Sequence, residues 1–577
     1  MATTSSVTRR TALATIGMAA GAAAAGCLSA RDALAAEAPS GEYVGIANGR
    51  GGAIVVKVTL ESGEIKAVEV VAENETPNVG TVPLEDYPAQ IVENQSINIE
   101  SVAGATLSSA AMLLAVENAL KSAGLDPEDY SKKVKVQQPA FGTETDVAVI
   151  GSGGAGLSAA IRAAQAGASV VVLEKTGVVG GTSNFSIEGF GSVGDKTHVA
   201  LGCPMDAAAL AAKYTESYPN GRAEAFQVFA ENVGAQVDWL RSIGCEMTVA
   251  ASQNSVATSR ECGPIGLSVV AALRAEAEKL GVEIRTNNSV FGILEDQGSL
   301  VGLGIDTPTG KYQLSCKAIV IAAGGYAANQ SMRAQYSPSS SSLDASCCCG
   351  CTGDGILMAQ EMGAAVENMD YVRVNFTYTT SSTGLYYMGS LFNTGAIFVN
   401  DAGERFVNDQ GGYGVGPTVV EQNGGTGWAI FDDSIAKPAG DVRAYGKLGL
   451  YTDADTIEEL AEKCGIDPAG LSATVEAYKG YVAEGTDPEF GRAMLNMTFD
   501  EPPFHACPMT CKAQGTFGGI VCNTSCEILG ADGNAIPGLF AAGENASIGT
   551  YGANPAAVNV VFGSIAGTSA AAYAAAK

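Results

Sequence analysis

The sequence predicts an α/β protein: a parallel βαβ unit lies at its centre, and a smaller α+β unit precedes it. Two observations carry that reading. Residues 146–183, DVAVIGSGGAGLSAAIRAAQAGASVVVLEKTGVVGGTS, pass from a β-branched apolar stretch through a glycine turn into helical composition and out to a second apolar stretch. Residues 41–122 instead alternate apolar and polar positions about Ser62-Gly63 before turning helical.

Length and charge narrow the function. With 577 residues, 46% hydrophobic, the chain is globular and long enough for roughly two to four domains. A net charge of -28 argues against a nucleic-acid partner, because phosphate binding requires a basic surface. The same charge suits docking with basic electron carriers. At the N-terminus, Thr8-Arg9-Arg10-Thr11-Ala12-Leu13 is a twin-arginine pattern ahead of an Ala/Gly-rich run, so residues 1–35 read as an export signal. Ala33-Leu34-Ala35 offers a signal-peptidase site, and Ala25-Gly26-Cys27 a weaker lipid-anchoring one. The expected location is periplasmic or cell-surface. No later run reads as long and apolar enough to span a bilayer.

In the small unit, 41–122, Gly45 to Leu60 and Ile65 to Ala72 read as one hairpin, and Ala110 to Lys121 as a helix. Between them, Gly104-Ala105-Thr106-Leu107-Ser108 resembles the attachment motif of FMN-binding domains, D-x-x-[ST]-G-A-T-x-[ST]. Glu100 stands for its Asp and Ala103 for its Ser or Thr. The resemblance implies FMN joined to Thr106 through a phosphoester and installed by a separate flavin transferase. The alternative is a threonine that caps the following helix. Residues 123–142, with Pro, Lys and Gln, read as a linker.

The βαβ unit follows. Val147 to Ile150 is a buried strand, and Gly151, Gly153 and Gly156 form G-x-G-x-x-G, with Gly154 and Ala155 inside the turn. Leu157 to Gln165 is a helix stopped by Gly167, and Ser169 to Leu173 is a strand ending in Glu174 and Lys175. The glycines let the backbone approach a pyrophosphate at the helix N-terminus, and Glu174 accepts from a ribose hydroxyl. A second small-residue loop, Gly180-Gly181-Thr182-Ser183, follows directly. This segment resembles that of FAD-binding two-dinucleotide-fold flavoproteins, which implies non-covalent FAD.

Helices at Ala207 to Tyr214, Glu224 to Ile243 and Leu267 to Leu280 come next, then strands at Glu283 to Asn287, Gly302 to Thr307 and Ala318 to Ile321. Ala322-Ala323-Gly324-Gly325 is a second glycine turn, Gly353-Asp354-Gly355 opens another helix, and Gly538 to Glu544 is a strand ending in an acid. Across 143–577 the chain resembles the flavoprotein subunits of fumarate reductase and succinate dehydrogenase, in the soluble exported branch with an FMN domain. That resemblance implies a Rossmann-like FAD domain, 143–369 and 515–577, with an inserted α+β capping domain, 370–514. Ala323, Gly324, Asp354 and Glu544 would then contact FAD.

The family's substrate residues are replaced. Its dicarboxylate-binding His falls on Asn375, its catalytic arginine on Tyr413, and its proton-relay Glu and Arg on Gly389 and Phe392. Its substrate His falls on Gly515, its carboxylate-clamping Arg on Pro555, and the His before Gly-Ala-Asn on Tyr551. Two carboxylates desolvated here without partners would each cost several kcal/mol. A neutral, aromatic pocket is expected instead, with Tyr386, Tyr387 and Met388 on its loop and Arg373 the one nearby cation.

The expected reaction is reduction of an activated alkene that is not a dicarboxylate: an aryl acrylate, a polyphenol alkene or a steroid-like enone. Hydride would come from reduced FAD, a proton from Tyr413, and a hydrogen bond to the activating carbonyl from Tyr551. A membrane quinol dehydrogenase or a cytochrome would supply electrons to FMN. Two other readings are the same site run as a ketosteroid-like dehydrogenase, and a flavin electron carrier without small-molecule turnover. No cysteine spacing matches a ferredoxin or zinc site, so no metal is expected, and Cys347-Cys348-Cys349-Gly350-Cys351 reads as buried thiols or disulfides. His198 and His505 fall on no motif and read as surface or packing residues.

Overall fold

The computed structural model describes residues 38–577 apart from 135–140, 187–188, 250–254, 258–264, 382–383, 390, 392–393, 411, 439 and 551–552. The export signal with Cys27, together with Phe392 and Tyr551, therefore lies outside the described residues.

The main sheet is built from near-continuous apolar strands buried on both faces, the pattern that parallel pairing under helices requires. Five of its strands run parallel in the order Ala535–Ala541, Gly310–Ile321, Glu144–Ile150, Val170–Leu173 and Glu283–Arg285. Ile150 lies beside Leu173 and Ile321, and Ile321 beside Ala541. Their C-terminal ends are thus level, and the loops after them open on one side. Strands Ser299–Thr307 and Ser289–Asp296 extend the sheet antiparallel from the first half of Gly310–Ile321.

The helix Pro555–Ala575 is long and apolar enough by composition to cross a membrane, contrary to the sequence expectation, but more than half of it is buried. It lies against the helix Gly154–Gln165 at backbone distance. A Cβ at Gly563 would come 2.4 Å from the Ala155 carbonyl oxygen, and one at Gly567 2.0 Å from that of Ala159. This packing makes it a core helix and fixes the helix that carries the glycine turn.

A second core, from Val374 to Cys511, fills a six-stranded sheet ordered Gly384–Tyr387, Val372–Ser381, Phe504–Thr516, Thr426–Asp432 and Ile397–Val399, with Thr452–Ala454 beside Phe504–Thr516. A third, from Ala47 to Tyr130, belongs to the small unit. There the expected single hairpin is corrected to three strands, Gly41–Asn48, Ala53–Glu61 and Glu64–Ala72. Gly49 to Gly52 makes an additional turn, with Gly52 at φ 130, where residues with a side chain are strained. The helix after the attachment motif begins earlier than expected, at Thr106. Val79 and Ala105 of the small unit are buried against Val178 and Leu267 of the main unit.

His198 and His505 are both buried. His198 pairs with Asp195, which also takes a hydrogen bond from Arg241 at 2.6 Å. His505 lies between Asp453 and Asp433, at 2.7 and 3.1 Å. They are packing groups, not surface ones.

Candidate active site

The level strand ends create one continuous recess. Its first part is lined by Gly151, Gly153, Gly154 and Ala155 of the glycine turn, and by Glu174, Lys175, Gly181, Thr182 and Ser183. Ala323, Gly324 and Glu544 after the neighbouring strand ends, and Asp354 at the start of the helix Asp354–Glu361, complete it. Gly156 and Gly180 do not face the recess but shape it. A Cβ at Gly156 would lie 1.9 Å from the Gly151 carbonyl oxygen. Gly180, at φ 115, donates its N–H to Ser152 Oγ at 3.0 Å.

Glu174 accepts from the Ser152 N–H and hydroxyl and from the Thr176 N–H and hydroxyl, between 2.6 and 3.2 Å. That holds its carboxylate against the turn, at the end of the second strand. Lys175 donates to Asp354 at 2.6 Å and neutralises that acid, which lines the same recess. The recess therefore offers an acid for ribose at one end and an open helix N-terminus, free of unpaired carboxylates, for a pyrophosphate. These residues fit a dinucleotide.

The second part is a chamber of about 670 Å³ that shares Thr182, Gly543 and Glu544 with the first. All three units contribute to it: Arg50, Thr76, Val79 and Gly104 from the small unit, Arg373, Tyr378, Tyr386, Tyr387 and Tyr445 from the insertion, and Gly515, Pro555 and Asn559 from the main unit. Tyr378 meets Tyr387 edge-on with ring centroids 5.6 Å apart, and Tyr386 meets Tyr445 likewise at 5.8 Å. The side of the wall that the insertion contributes is thus rich in tyrosine.

Glu544 sits where the two parts join, and burial pushes its carboxyl up to about 7, against the opposing pull of the Thr516 N–H at 2.8 Å and the Arg373 charge. Arg373 itself lines the chamber. Arg50 also reaches across the gap between units, donating to the Leu385 carbonyl at 3.2 Å.

Two expected substrate contacts lie elsewhere. Asn375 is fully buried behind Gln514, with its amide 3.4 Å from the Gln514 oxygen. The cause is a register shift: Arg373 pairs with Gly515 and Val374 with Ala513, so Gln514 bulges out and covers Asn375. Met388 is 1% exposed in the core of the insertion, where its N–H bonds the Thr377 carbonyl. Gly515, Tyr386 and Tyr387 do line the chamber. Tyr413 falls in the turn Gly412–Val415, its side chain outside the described residues, as is all of Tyr551. Thr106 is exposed at the first position of its helix, whose N-cap is Ala105 without a side-chain bond, so Thr106 is no cap.

Sequence reasoning missed Arg50, Tyr378, Tyr445 and Gln514. Gly49 to Gly52 signalled a turn around Arg50, but only the docking of the units brings that arginine to the chamber.

Comparison with known proteins agrees with this geometry. A family described as an FAD binding domain matches residues 146–561, and one described as an FMN-binding domain matches 49–121. The chain belongs to the FMN-domain branch of the fumarate reductase flavoprotein family. It is 32% identical to the urocanate reductase of Eggerthella lenta, over 92% of each chain. It is 27% identical to the NADH:acrylate oxidoreductase of Vibrio harveyi, over 92% of this chain and 61% of that one. Among solved structures, the open conformation of a flavocytochrome c3 fumarate reductase matches with a TM-score of 0.67 and 30% identity, over 77% of this chain and 83% of that one. Like these relatives, this family member is a flavin-dependent oxidoreductase acting on carbon–carbon double bonds.

Proposed function

We propose that the chain is an exported reductase of a singly charged or neutral aryl alkene, drawing electrons through FMN on Thr106 from a membrane quinol dehydrogenase or a cytochrome. The observation that carries this reading is the chamber wall. Four tyrosines stand on it, and so do Gly515 and Pro555, the residues onto which the family resemblance places dicarboxylate ligands. Arg373 and Arg50 are its cations among the described residues, and Glu544 opposes them. That charge set suits one carboxylate or phenolate beside a ring, whereas a second carboxylate would be desolvated without a partner. An aryl acrylate such as urocanate or a cinnamate has that shape.

Bound FAD supplies the hydride, and the protein supplies position and proton. The tyrosine rings hold the aryl group flat, and Arg373 draws its acid group toward the Glu544 side. Tyr413 delivers the proton to the carbon next to the activating carbonyl, which Tyr551 polarises; a phenol, protonated at neutral pH, is suited to both tasks. The small unit supports the electron path, because Gly104 of the attachment motif lines the same chamber and packs on Val178. Thr106, two residues from Gly104, would hold the FMN, which would relay electrons toward FAD, and a flavin transferase would attach it.

The test is anaerobic oxidation of reduced viologen against fumarate, urocanate, cinnamates, a stilbene and a steroid enone. Turnover of an aryl acrylate with fumarate inert is expected. Turnover of fumarate would refute the assignment, and turnover of the steroid enone alone would shift it to a ketosteroid-like substrate.

A further inference from the structure

We propose that Arg50 of the small unit is a positioning residue: it ties the free edge of the strand that carries two chamber tyrosines, so the chamber is fully formed only while the small unit is seated. The inference rests on the chamber being the substrate site. Arg50 donates to the carbonyl of Leu385, the residue before Tyr386 and Tyr387, at 3.2 Å, although 335 positions separate the two. Leu385 lies on Gly384–Tyr387, which pairs with Val372–Ser381 on one side and ends its sheet. A four-residue strand at a sheet edge is weakly held and presents a row of backbone groups outward. Arg50 takes one of those groups from another unit.

The turn that presents Arg50 is itself fixed. Gly49 donates to the Gly52 carbonyl at 2.8 Å, Gly51 to Glu75 Oε1 at 3.1 Å, and the Asn74 amide to the Gly51 carbonyl at 3.1 Å. The backbone is packed closely as well: a Cβ at Gly49 would meet Glu75 Oε1 at 2.1 Å, and one at Gly51 the Asn74 carbonyl oxygen at 1.9 Å. Glu75 is buried, and its other oxygen accepts from the hydroxyl of Ser108 at 2.9 Å, two residues past Thr106 on the attachment helix. Attachment helix, Glu75 and Arg50 turn are therefore bonded in series.

The small unit thus bridges the other two across the chamber. On one side Val79 and Ala105 are buried against Val178 and Leu267 of the main unit, where a Cβ at Gly177 would come 2.8 Å from Val102. On the other side Arg50 holds the insertion. Tyr387 packs on Tyr378 and Tyr386 on Tyr445, so a strand that shifts at Leu385 draws both rings out of these contacts. Loss of the tie weakens the hold on the aryl group and leaves the hydride and proton donors in place, so it acts on KM more than on kcat. Seating of the small unit and binding of the alkene are coupled in this way.

Hydrogen exchange on the flavin-loaded protein tests the tie without any substrate. In Arg50→Ala, peptides covering Gly384–Tyr387 should exchange faster than in the wild type, while Ile397–Val399, the opposite edge of the same sheet, should not change. Arg50→Lys, which keeps a donor, should fall between the two. With the alkene that the viologen assay identifies, Arg50→Ala should raise KM about 3- to 10-fold, the scale of one lost hydrogen bond, with a smaller effect on kcat and unchanged flavin content. Equal exchange in the wild type and Arg50→Ala would overturn the proposal, and a KM rise confined to acidic alkenes alongside it would make Arg50 a substrate ligand instead. A silent alkene panel would refute the substrate reading alone, and the exchange comparison would still decide the tie.

Discussion

Glu544→Gln isolates the electrostatics of the recess, because it removes one proton-binding site and keeps the shape. Thr516 donates its backbone N–H to Glu544 at 2.8 Å, and an amide oxygen retains that bond. Burial sets the carboxyl at about 7, against an ordinary value of 4.5. That difference corresponds to at most ~3.4 kcal/mol at 1.36 kcal/mol per unit. The side chain opens on the chamber, so solvent screening reduces the expectation to ~1–2 kcal/mol.

Below pH 4.5 the group is neutral in both states and contributes nothing. Between 4.5 and 7 the unfolded chain has released its proton while the folded one still holds it, so stability falls as pH rises. Above 7 the full penalty persists. The wild type should therefore lose melting temperature relative to Glu544→Gln from pH 5 to 8, by a few degrees. Scanning calorimetry of both proteins at matched ionic strength measures this, and parallel curves across that range would refute the argument.

Three further outcomes follow from the structure. Thr106→Ala should remove one FMN mass from protein co-expressed with a flavin transferase while leaving FAD content unchanged, as intact-protein mass spectrometry and flavin extraction would show. Tyr413→Phe should lower kcat by ~10² to 10⁴, the scale of a lost general acid, with little change in FAD loading; an unaltered kcat would remove Tyr413 from the reaction. Arg405 is 1% exposed on its side chain and bonds both Asp409 and Asp487. Arg405→Met should then cost about 3–5 kcal/mol by removing the cation that Asp409 and Asp487 share, leaving Asp409 only the more distant Arg492 at 3.6 Å, read as a fall in denaturation midpoint of the inserted unit.

The sequence carried the FAD part well because its signals are local. Strand, glycine turn, helix, strand and acid lie within forty residues, and each has a steric reason to appear in that order. Gly151, for example, sits at φ 100 where a Cβ would meet the Ala322 carbonyl oxygen at 2.3 Å. The chamber was only half legible. Alternation along Val372–Ser381 puts Arg373 and Asn375 on one face, and nothing in the sequence announces that Gln514, on a strand more than a hundred residues later, bulges between Asn375 and the chamber. Met388 shows the same limit: adjacent to two chamber tyrosines in sequence, it turns into the insertion's own core. The contribution of Arg50 depends on how one unit docks on another, which no periodicity encodes.

The packing of Pro555–Ala575 on Gly154–Gln165 also sets the order of events during synthesis. The glycine turn is made early, yet one face of the helix it begins stays uncovered until the last twenty-odd residues have left the ribosome. A nascent chain cannot hold its dinucleotide firmly before then. FAD loading is accordingly a check on completeness: a chain cut short within the final helix should emerge without FAD, however intact its glycine turn.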